Sequence, residues 1–282
     1  MCIRDSYTVT PEGKGPAWSN SLFEDNAEFG YGMLLAQNTI RDRLKAKVEK
    51  IAEKTTDEAV KAAAAEYLET YTVGATNGTA TDKLVAALEA LDCDCEERAE
   101  VLKNKDFLAK KSQWIFGGDG WAYDIGYGGV DHVLASKKDI NIMVFDTEVY
   151  SNTGGQSSKS TPTGAIAQFA AGGKETKKKD MASIAMSYGY VYVAQIAMGA
   201  DFNQTVKAIA EAEAYPGPSL IIAYAPCINH GIKKGMSKAQ TEEELAVKCG
   251  YWHNFRFNPA AENKFSLDSK APAAEGYQEF LD

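Results

Sequence analysis

The stretch that decides the fold is IFGGDGWAYDIGYGGVDHVLASKKDINIMVFDTEVYSNTGG, residues 115–155. A short apolar run, Trp114 to Phe116, meets the glycine-rich turn Gly117-Gly118-Asp119-Gly120, and a helix-compatible segment follows. A second apolar run, Ile140 to Phe145, then ends in a polar loop. Strand, glycine turn, helix, strand and polar loop follow each other in this order in a βαβ unit of a parallel sheet. The sequence therefore predicts an α/β fold with a mostly parallel sheet flanked by helices.

Both polar loops of such a unit leave the carboxyl ends of neighbouring strands, where open α/β sheets bind ligands. Gly118 and Gly120 allow the backbone to approach an anion closely, and the following helix directs its free N–H groups at that anion. Asp119 in the same turn would repel a phosphate group unless a cation lies between them. Mg²⁺ takes oxygen ligands and few protein carboxylates. We therefore predict a diphosphate held through Mg²⁺, with the Asp119 carboxylate, the Thr147 hydroxyl and the Val149 carbonyl as ligands.

Two other nucleotide-binding motifs are excluded by spacing. The dinucleotide pattern G-x-G-x-x-G needs a third glycine, and Tyr123 stands at that position after Gly118 and Gly120. The run Gly172-Gly173-Lys174-Glu175 lacks both the glycine spacing of a P-loop and the Ser or Thr that follows its lysine.

The GDG turn with a distal metal ligand resembles the thiamine-diphosphate motif, in which that ligand is usually Asn and is Thr147 here. GGDGWAYDIGYGG (117–129) and DTEVYSNTGGQ (146–156) resemble the pyruvate:ferredoxin (flavodoxin) oxidoreductases, which act on 2-oxoacids. Residues 14–33, 171–194, 216–232 and the tail from Gly250 also resemble the thiamine-binding domain of that family. The resemblance implies a thiamine-diphosphate-binding fold for nearly the whole chain.

The resemblance also implies roles for four residues outside the GDG turn. Leu22 and Phe23 would pack near the thiamine ring, and Asn152 would donate a catalytic carboxamide hydrogen bond to the substrate. Cys227, in APCINHG, would be one ligand of a [4Fe–4S] cluster. Residue type alone leaves other roles open: a buried aromatic turn for Leu22 and Phe23, a turn-stabilising Asn, and a small buried thiol.

The implied activity is oxidative decarboxylation of pyruvate to acetyl-coenzyme A, with electrons passing through iron–sulfur clusters to ferredoxin or flavodoxin. The resemblance further implies additional N-terminal domains and a homodimer at full length. We find no motif for the glutamate that activates the pyrimidine ring. Two alternatives stay open: a non-oxidative thiamine enzyme of the decarboxylase or acetolactate type, which Thr147 and APCINHG disfavour, and a non-catalytic interface domain.

Bulk composition narrows the partners and the compartment. The 282 residues carry 30 Lys and Arg against 39 Asp and Glu, a net charge of −9 that argues against nucleic acid as a partner. We expect no membrane partner, because no apolar run is long enough to span a bilayer. The sequence has no signal-peptide pattern, and its five cysteines form no regular framework, so we predict a cytoplasmic protein.

We divide the chain into residues 1–6, which resemble nothing in the family and suggest a non-native scar, and a thiamine-diphosphate-binding domain over 7–282. Within that domain, Ala, Glu and Lys dominate about residues 34–110, which we interpret as a helical insertion. Asn77-Gly78 predicts a turn there, and Cys93 and Cys95 are expected to be solvated turn thiols.

Later segments carry further predictions about local structure. We expect helices over 160–171 and 180–188, a central strand over 219–225 and an edge strand over 252–257. The charged run Lys174–Lys179 is typical of a solvated face, with docking of an acidic electron carrier as the alternative.

The resemblance places three further cluster cysteines upstream of residue 7, so Cys227 lacks partners in this chain. We expect reconstitution with iron and sulfide under anaerobic conditions to give no stoichiometric [4Fe–4S] cluster, because one thiolate cannot hold it. Absorption and electron paramagnetic resonance spectra check this, with Cys227→Ser as the matched control. A stoichiometric cluster signal that Cys227→Ser abolishes would contradict the prediction.

Overall fold

The computed structural model describes residues 27–273 and 275–281, and the side chains of 275 and 276 are not included. Residues 1–6, Leu22 and Phe23 lie outside the described residues, so the expectations for them stay predictions. In the described part of the chain, no helix is both long enough and apolar enough to cross a membrane.

Helices and strands alternate through most of the described chain. The helices are α1 (Ala27–Lys54), α2 (Glu58–Glu69), α3 (Gly74–Ala90), α4 (Glu96–Lys103), α5 (Tyr127–Ala135), α6 (Met181–Met186), α7 (Phe202–Ala214), α8 (Ala239–Lys248) and α9 (Glu275–Leu281). The strands are β1 (Trp114–Gly118), β2 (Asn141–Asp146), β3 (Val149–Tyr150), β4 (Gln156–Ser157), β5 (Tyr192–Ile196), β6 (Ser219–Tyr224), β7 (Phe255–Phe257) and β8 (Phe265–Leu267).

The main sheet has the strand order β1-β2-β6-β5-β7-β8. The first four of these strands are mutually parallel, β7 pairs with β5 in the antiparallel direction, and β8 pairs with β7 in the antiparallel direction. Strand β6 is central, as its uninterrupted apolar sequence predicts, because a strand covered on both faces has no polar side to present. The mostly parallel α/β class is thereby confirmed. The expected edge strand β7 is not at the edge, because β8 pairs with its outer side.

Helices cover the two faces of the sheet unequally. Leu220 and Ile222 of β6 face a core that receives residues from α1, α5, α6 and α8. Ile221, between them, faces the other side, where Ala208 and Ala212 of α7 cover it. Side chains that alternate along β6 therefore contribute to two cores, as expected for a strand between two layers of helices.

Helices α1 to α4 build a separate apolar cluster beside the sheet. At its border the buried Arg41 donates to the carbonyls of Leu108 (3.0 Å) and Tyr71 (2.9 Å) and to Oδ1 of Asn77 (3.2 Å). The predicted turn at Asn77 is wrong: the residue lies inside α3, because its buried amide is satisfied by tertiary partners. Cys93 and Cys95 are joined by a disulfide, so the expected solvated thiols are also wrong.

Helix α1 belongs to both cores. Leu34 packs in the core under the sheet, and Leu44 packs in the core of the helical cluster. Gly30 lies so close to β1 that an added Cβ would come within 2.5 Å of Ile115. Because one helix serves both cores, the boundary of the insertion at residue 34 stays a prediction.

The expected helix over 160–171 is wrong. The segment forms turns and isolated bridges, including Gln156 with Gln168. Gly164 and Gly173 take left-handed backbone angles (φ 82° and 89°), which end any regular helix in this region. The helix over 180–188 is present as α6.

The central position of β6 generates a stability prediction. Leu220→Ala should lower the free energy of unfolding by about 2–5 kcal/mol, because Leu220 is fully buried and its removal leaves a cavity. Leu267→Ala in β8 is the matched control, since Leu267 is 60% exposed and should change stability by less than about 0.5 kcal/mol. Urea denaturation followed by circular dichroism measures both, and equal losses would contradict the central placement.

Candidate functional site

The site lies where β1 and β2 end side by side. The two strands pair in parallel register from Trp114 opposite Asn141 to Gly118 opposite Phe145. Asp119 directly follows the last residue of β1, and Thr147 directly follows the last residue of β2. Residues that are 28 positions apart in the sequence are therefore neighbours at one rim of the sheet.

Three oxygens predicted as metal ligands converge at this rim. The Thr147 hydroxyl oxygen lies 2.7 Å from Oδ1 of Asp119 and 3.0 Å from the carbonyl oxygen of Val149. Neighbouring ligands around octahedral Mg²⁺, at bonds of about 2.1 Å, are themselves about 3 Å apart. The oxygen chemistry and the spacing are thus compatible with a single Mg²⁺.

Two serines that the sequence analysis missed hold the carboxylate of Asp119. Ser158 and Ser160 each donate a hydrogen bond of 2.9 Å to its Oδ2, which leaves Oδ1 facing Thr147. Burial, and secondly Asp146, raise the pKa of Asp119, while the hydroxyls of Thr147, Ser158 and Ser160 oppose the shift. A buried carboxylate of this kind is stabilised by a nearby cation. The sequence SSKS (157–160) does not indicate this role, because serine hydroxyls form hydrogen bonds with nearby backbone groups equally well.

The glycine turn leaves open space for a ligand beside Gly118 but not beside Gly120. A Cβ at Gly118 would meet nothing within 4 Å, whereas a Cβ at Gly120 would overlap the ring of Tyr150. The expected α-helix near Trp121 begins later, because Gly120–Ile125 form a π-helical turn before α5. The buried Trp121 ring packs against Gly117 and Gly126. This large side chain lies within the π-helical turn, which is wider than an α-helical turn.

Asn152 is exposed on the loop that carries Val149. Among the described residues its side chain has no hydrogen-bond partner, so no contact supports the turn-stabilising alternative. The turn that follows is made by Gly154 and Gly155, with φ of 118° and 84°. The catalytic role of Asn152 stays a prediction.

Cys227 is buried just beyond the carboxyl end of β6. Its sulfur accepts hydrogen bonds from the backbone N–H and side-chain amide of Asn229, both at 3.4 Å. Asn229 in turn lies against the metal-ligand loop, since a Cβ at Gly155 would come within 2.7 Å of it. No group of three or more His, Cys, Asp or Glu with metal-binding geometry occurs among the described residues. The cluster-ligand role of Cys227 stays a prediction.

Three lysines of the charged run make internal contacts. The ammonium groups of Lys174 and Lys179 donate to backbone carbonyls, and that of Lys178 pairs with two acids. The Lys178 ammonium lies 2.8 Å from Oδ2 of Asp146 and 3.0 Å from Oε1 of Glu148, and its side chain is only 25% exposed. Burial alone would lower the pKa of Lys178, but the two carboxylates outweigh it and raise the pKa above its ordinary value. The prediction of a solvated face is wrong for these three lysines, whereas Lys177 is exposed.

Comparison with known proteins gives the class of domain. Residues 99–223 match the family described as thiamine pyrophosphate enzyme, C-terminal TPP binding domain. This span contains the glycine turn, Asp119, Thr147 and Val149. The chain therefore carries a thiamine pyrophosphate-binding domain.

Longer relatives specify the kind of enzyme to which this domain corresponds. The chain is 55% identical over 285 residues to pyruvate-flavodoxin oxidoreductase of Enterobacter agglomerans and 54% identical over 284 residues to pyruvate:ferredoxin oxidoreductase of Moorella thermoacetica. Each alignment covers 98% of this chain and 24% of the relative. The chain thus corresponds to the thiamine pyrophosphate-binding domain of pyruvate-flavodoxin and pyruvate:ferredoxin oxidoreductases, and it spans about a quarter of their length. The resemblance found in the sequence is confirmed.

The chain is also similar to a further relative and to a solved structure that carry other names. The mitochondrial pyruvate dehydrogenase [NADP(+)] of Euglena gracilis is 47% identical over 281 residues, covering 98% of this chain and 16% of that protein. The solved 2-oxoglutarate:ferredoxin oxidoreductase from Magnetococcus marinus is 18% identical, with a TM-score of 0.40, and the match covers 73% of this chain and 66% of that one.

The double contact of Ser160 generates a prediction. Its hydroxyl lies 2.9 Å from Oδ2 of Asp119 and 2.9 Å from Oδ1 of Asp146, both buried. Ser160→Ala should lower the free energy of unfolding by about 1–3 kcal/mol, because it leaves buried carboxylate oxygens with one donor fewer. Ser157→Ala, in the same segment and without a side-chain hydrogen bond among the described residues, is the control. A loss no larger than that of the control in urea denaturation would contradict this role.

Proposed function

We propose that this domain binds thiamine diphosphate through Mg²⁺ as part of a 2-oxoacid oxidoreductase that acts on pyruvate. The observation that carries the proposal is the convergence of the Asp119, Thr147 and Val149 oxygens at the rim of the parallel sheet. Ligand sites of open α/β sheets lie at this rim, and the ligand set consists only of oxygen, as Mg²⁺ prefers.

The charges of the ligand set favour a diphosphate. Asp119 is the sole carboxylate of the three ligands, while Thr147 and Val149 contribute a neutral hydroxyl and a neutral carbonyl. One carboxylate leaves a divalent cation with positive charge to offset the phosphate groups. Gly118, with open space where a Cβ would stand, lets the backbone come close to the same anion. When bound, thiamine diphosphate supplies the electron sink for decarboxylation of a 2-oxoacid.

Other residues of this chain would act on the substrate and the cofactor ring. Asn152 is exposed next to the ligand loop, so its carboxamide is available to donate a hydrogen bond to a bound 2-oxoacid. Leu22 and Phe23 would pack against the thiamine ring, as the resemblance implies.

The path of the electrons depends on Cys227. We propose that its thiolate is one ligand of a [4Fe–4S] cluster, because it follows β6, the strand next to β2, and its loop contacts the candidate ligand loop through Asn229. The names of the relatives support ferredoxin or flavodoxin as the acceptor. The relative of Euglena, named for NADP(+), indicates that the domain alone does not dictate the acceptor. Coenzyme A as the acyl acceptor, a homodimer of the complete protein and a cytoplasmic location are further expectations.

The metal-dependent step is tested by cofactor binding. Asp119→Asn should weaken Mg²⁺-dependent binding of thiamine diphosphate by about tenfold or more, about 1.4 kcal/mol, because it removes the only charged ligand. Isothermal titration calorimetry at millimolar cofactor measures this, since we expect the single chain to bind weakly, with a dissociation constant of about 1 mM.

Asp92→Asn is the matched control, because Asp92 is an exposed acid between α3 and α4 and is not among the residues of the site. It should bind like the unsubstituted chain. Binding that is independent of Mg²⁺, or equal for Asp119→Asn and the control, would overturn the proposed function.

A further inference from the structure

Thr147 is flanked in the sequence by two acidic residues, and both bind the same partly buried lysine. Lys178 lies 2.8 Å from Oδ2 of Asp146 and 3.0 Å from Oε1 of Glu148. Asp146 has no exposed surface, and the Glu148 side chain is 7% exposed. One ammonium group therefore clamps the backbone on both sides of a candidate metal ligand.

Each carboxylate of this clamp is also bound by a tyrosine from a distant segment. Tyr123 donates its hydroxyl to Oδ2 of Asp146 at 2.9 Å, and Tyr251 donates to Oε2 of Glu148 at 2.7 Å. The Lys178 ammonium additionally lies 5.3 Å from the ring centre of Trp252. Contacts from several segments hold both acids, so their side chains have little freedom to rotate.

The backbone between them takes a conformation that needs such support. Glu148 has φ of 61°, in the left-handed region that glutamate rarely adopts. This conformation sends the Glu148 side chain towards Lys178 while the neighbouring Thr147 hydroxyl and Val149 carbonyl meet near Asp119. The Glu148 carbonyl is held as well, by the hydroxyl of Thr161.

Charge gives Lys178 a second effect. Asp119, Asp146 and Glu148 are three acidic groups within one small region, and a divalent cation would be attracted to each. Lys178 pairs with the two that flank Thr147 and offsets one of their two negative charges, while Asp119 has no cationic partner among the described residues and stays open to a metal ion. Sequence alone cannot distinguish Lys178 from its neighbours Lys177 and Lys179.

We propose that Lys178 is a positioning residue of the metal loop: by pairing with Asp146 and Glu148 it holds Thr147 and Val149 in ligand geometry and keeps a cation off the flanking acids. The metal itself rests on the proposed function, whereas the positioning of the loop does not. The test therefore measures the loop first without any cofactor.

Two variants weaken the clamp in different ways. Lys178→Met removes the charge and keeps the apolar stem, and Glu148→Gln removes one ion pair while keeping that of Lys178 with Asp146. Lys177→Met changes the exposed neighbouring lysine and is the matched control. Lys110→Met removes another ion pair, 2.8 Å from Asp139, outside the site.

Hydrogen–deuterium exchange with mass spectrometry is measured on all four variants in the absence of Mg²⁺ and thiamine diphosphate. We expect backbone amides of Thr147–Ser151 to exchange about tenfold faster or more in Lys178→Met and Glu148→Gln. Amides of β6 should change less than about twofold, as should the loop in both controls. Equal acceleration throughout the sheet would show a merely structural role and overturn the proposal, and so would an unchanged loop.

If Lys178→Met does not fold, as a chain with two unpaired buried acids could fail to do, Glu148→Gln decides the outcome by the same criterion. The second readout is the Mg²⁺ concentration that half-saturates cofactor binding, which should rise about tenfold in the clamp variants and stay unchanged in the controls. If the unsubstituted chain binds no cofactor, the proposed function fails, while the exchange measurement still tests Lys178.

Discussion

The in-register parallel pairing of β1 with β2 is the constraint on which the site depends. Because the two strands run in the same direction and end at the same level, Asp119 and Thr147 emerge side by side. A shift of the register by one residue would turn every side chain to the other face of the sheet. The buried apolar residues on both faces of β2 oppose such a shift, so the packing that stabilises the sheet also positions the candidate ligands.

The burial of acidic groups is the second constraint on the structure at this rim of the sheet. Asp119 and Asp146 are almost completely buried, and desolvation of a carboxylate is unfavourable unless donors or cations surround it. Hydroxyls from Ser158 and Ser160 bind one edge of this group, and the Lys178 ammonium binds another. The segment after β4 supplies all three residues, which explains why it forms turns shaped around the acids instead of the helix that its sequence suggested.

Local patterns predicted much of the fold correctly and failed in specific places. The apolar runs that became β1, β2 and β6 were identifiable, and those of β2 and β6 are the longest because strands buried on both faces need uninterrupted apolar sequence. Asn77-Gly78 looked like a turn and lies inside α3, since Arg41 and Lys110 satisfy the buried amide of Asn77. The propensity of a residue pair is weak beside such tertiary contacts.

The sequence by itself determined the βαβ order and the glycine turn, and it predicted the three candidate oxygen ligands, because these follow from residue types at short spacing. It also determined the kinship with pyruvate oxidoreductases, through motifs that the comparisons match. Only the tertiary structure decided which serines bind Asp119 and which lysine of the charged run pairs with Asp146 and Glu148. Hydroxyls and ammonium groups take any suitable partner, and the partner is chosen by chain segments that meet in space and not by neighbours in the sequence.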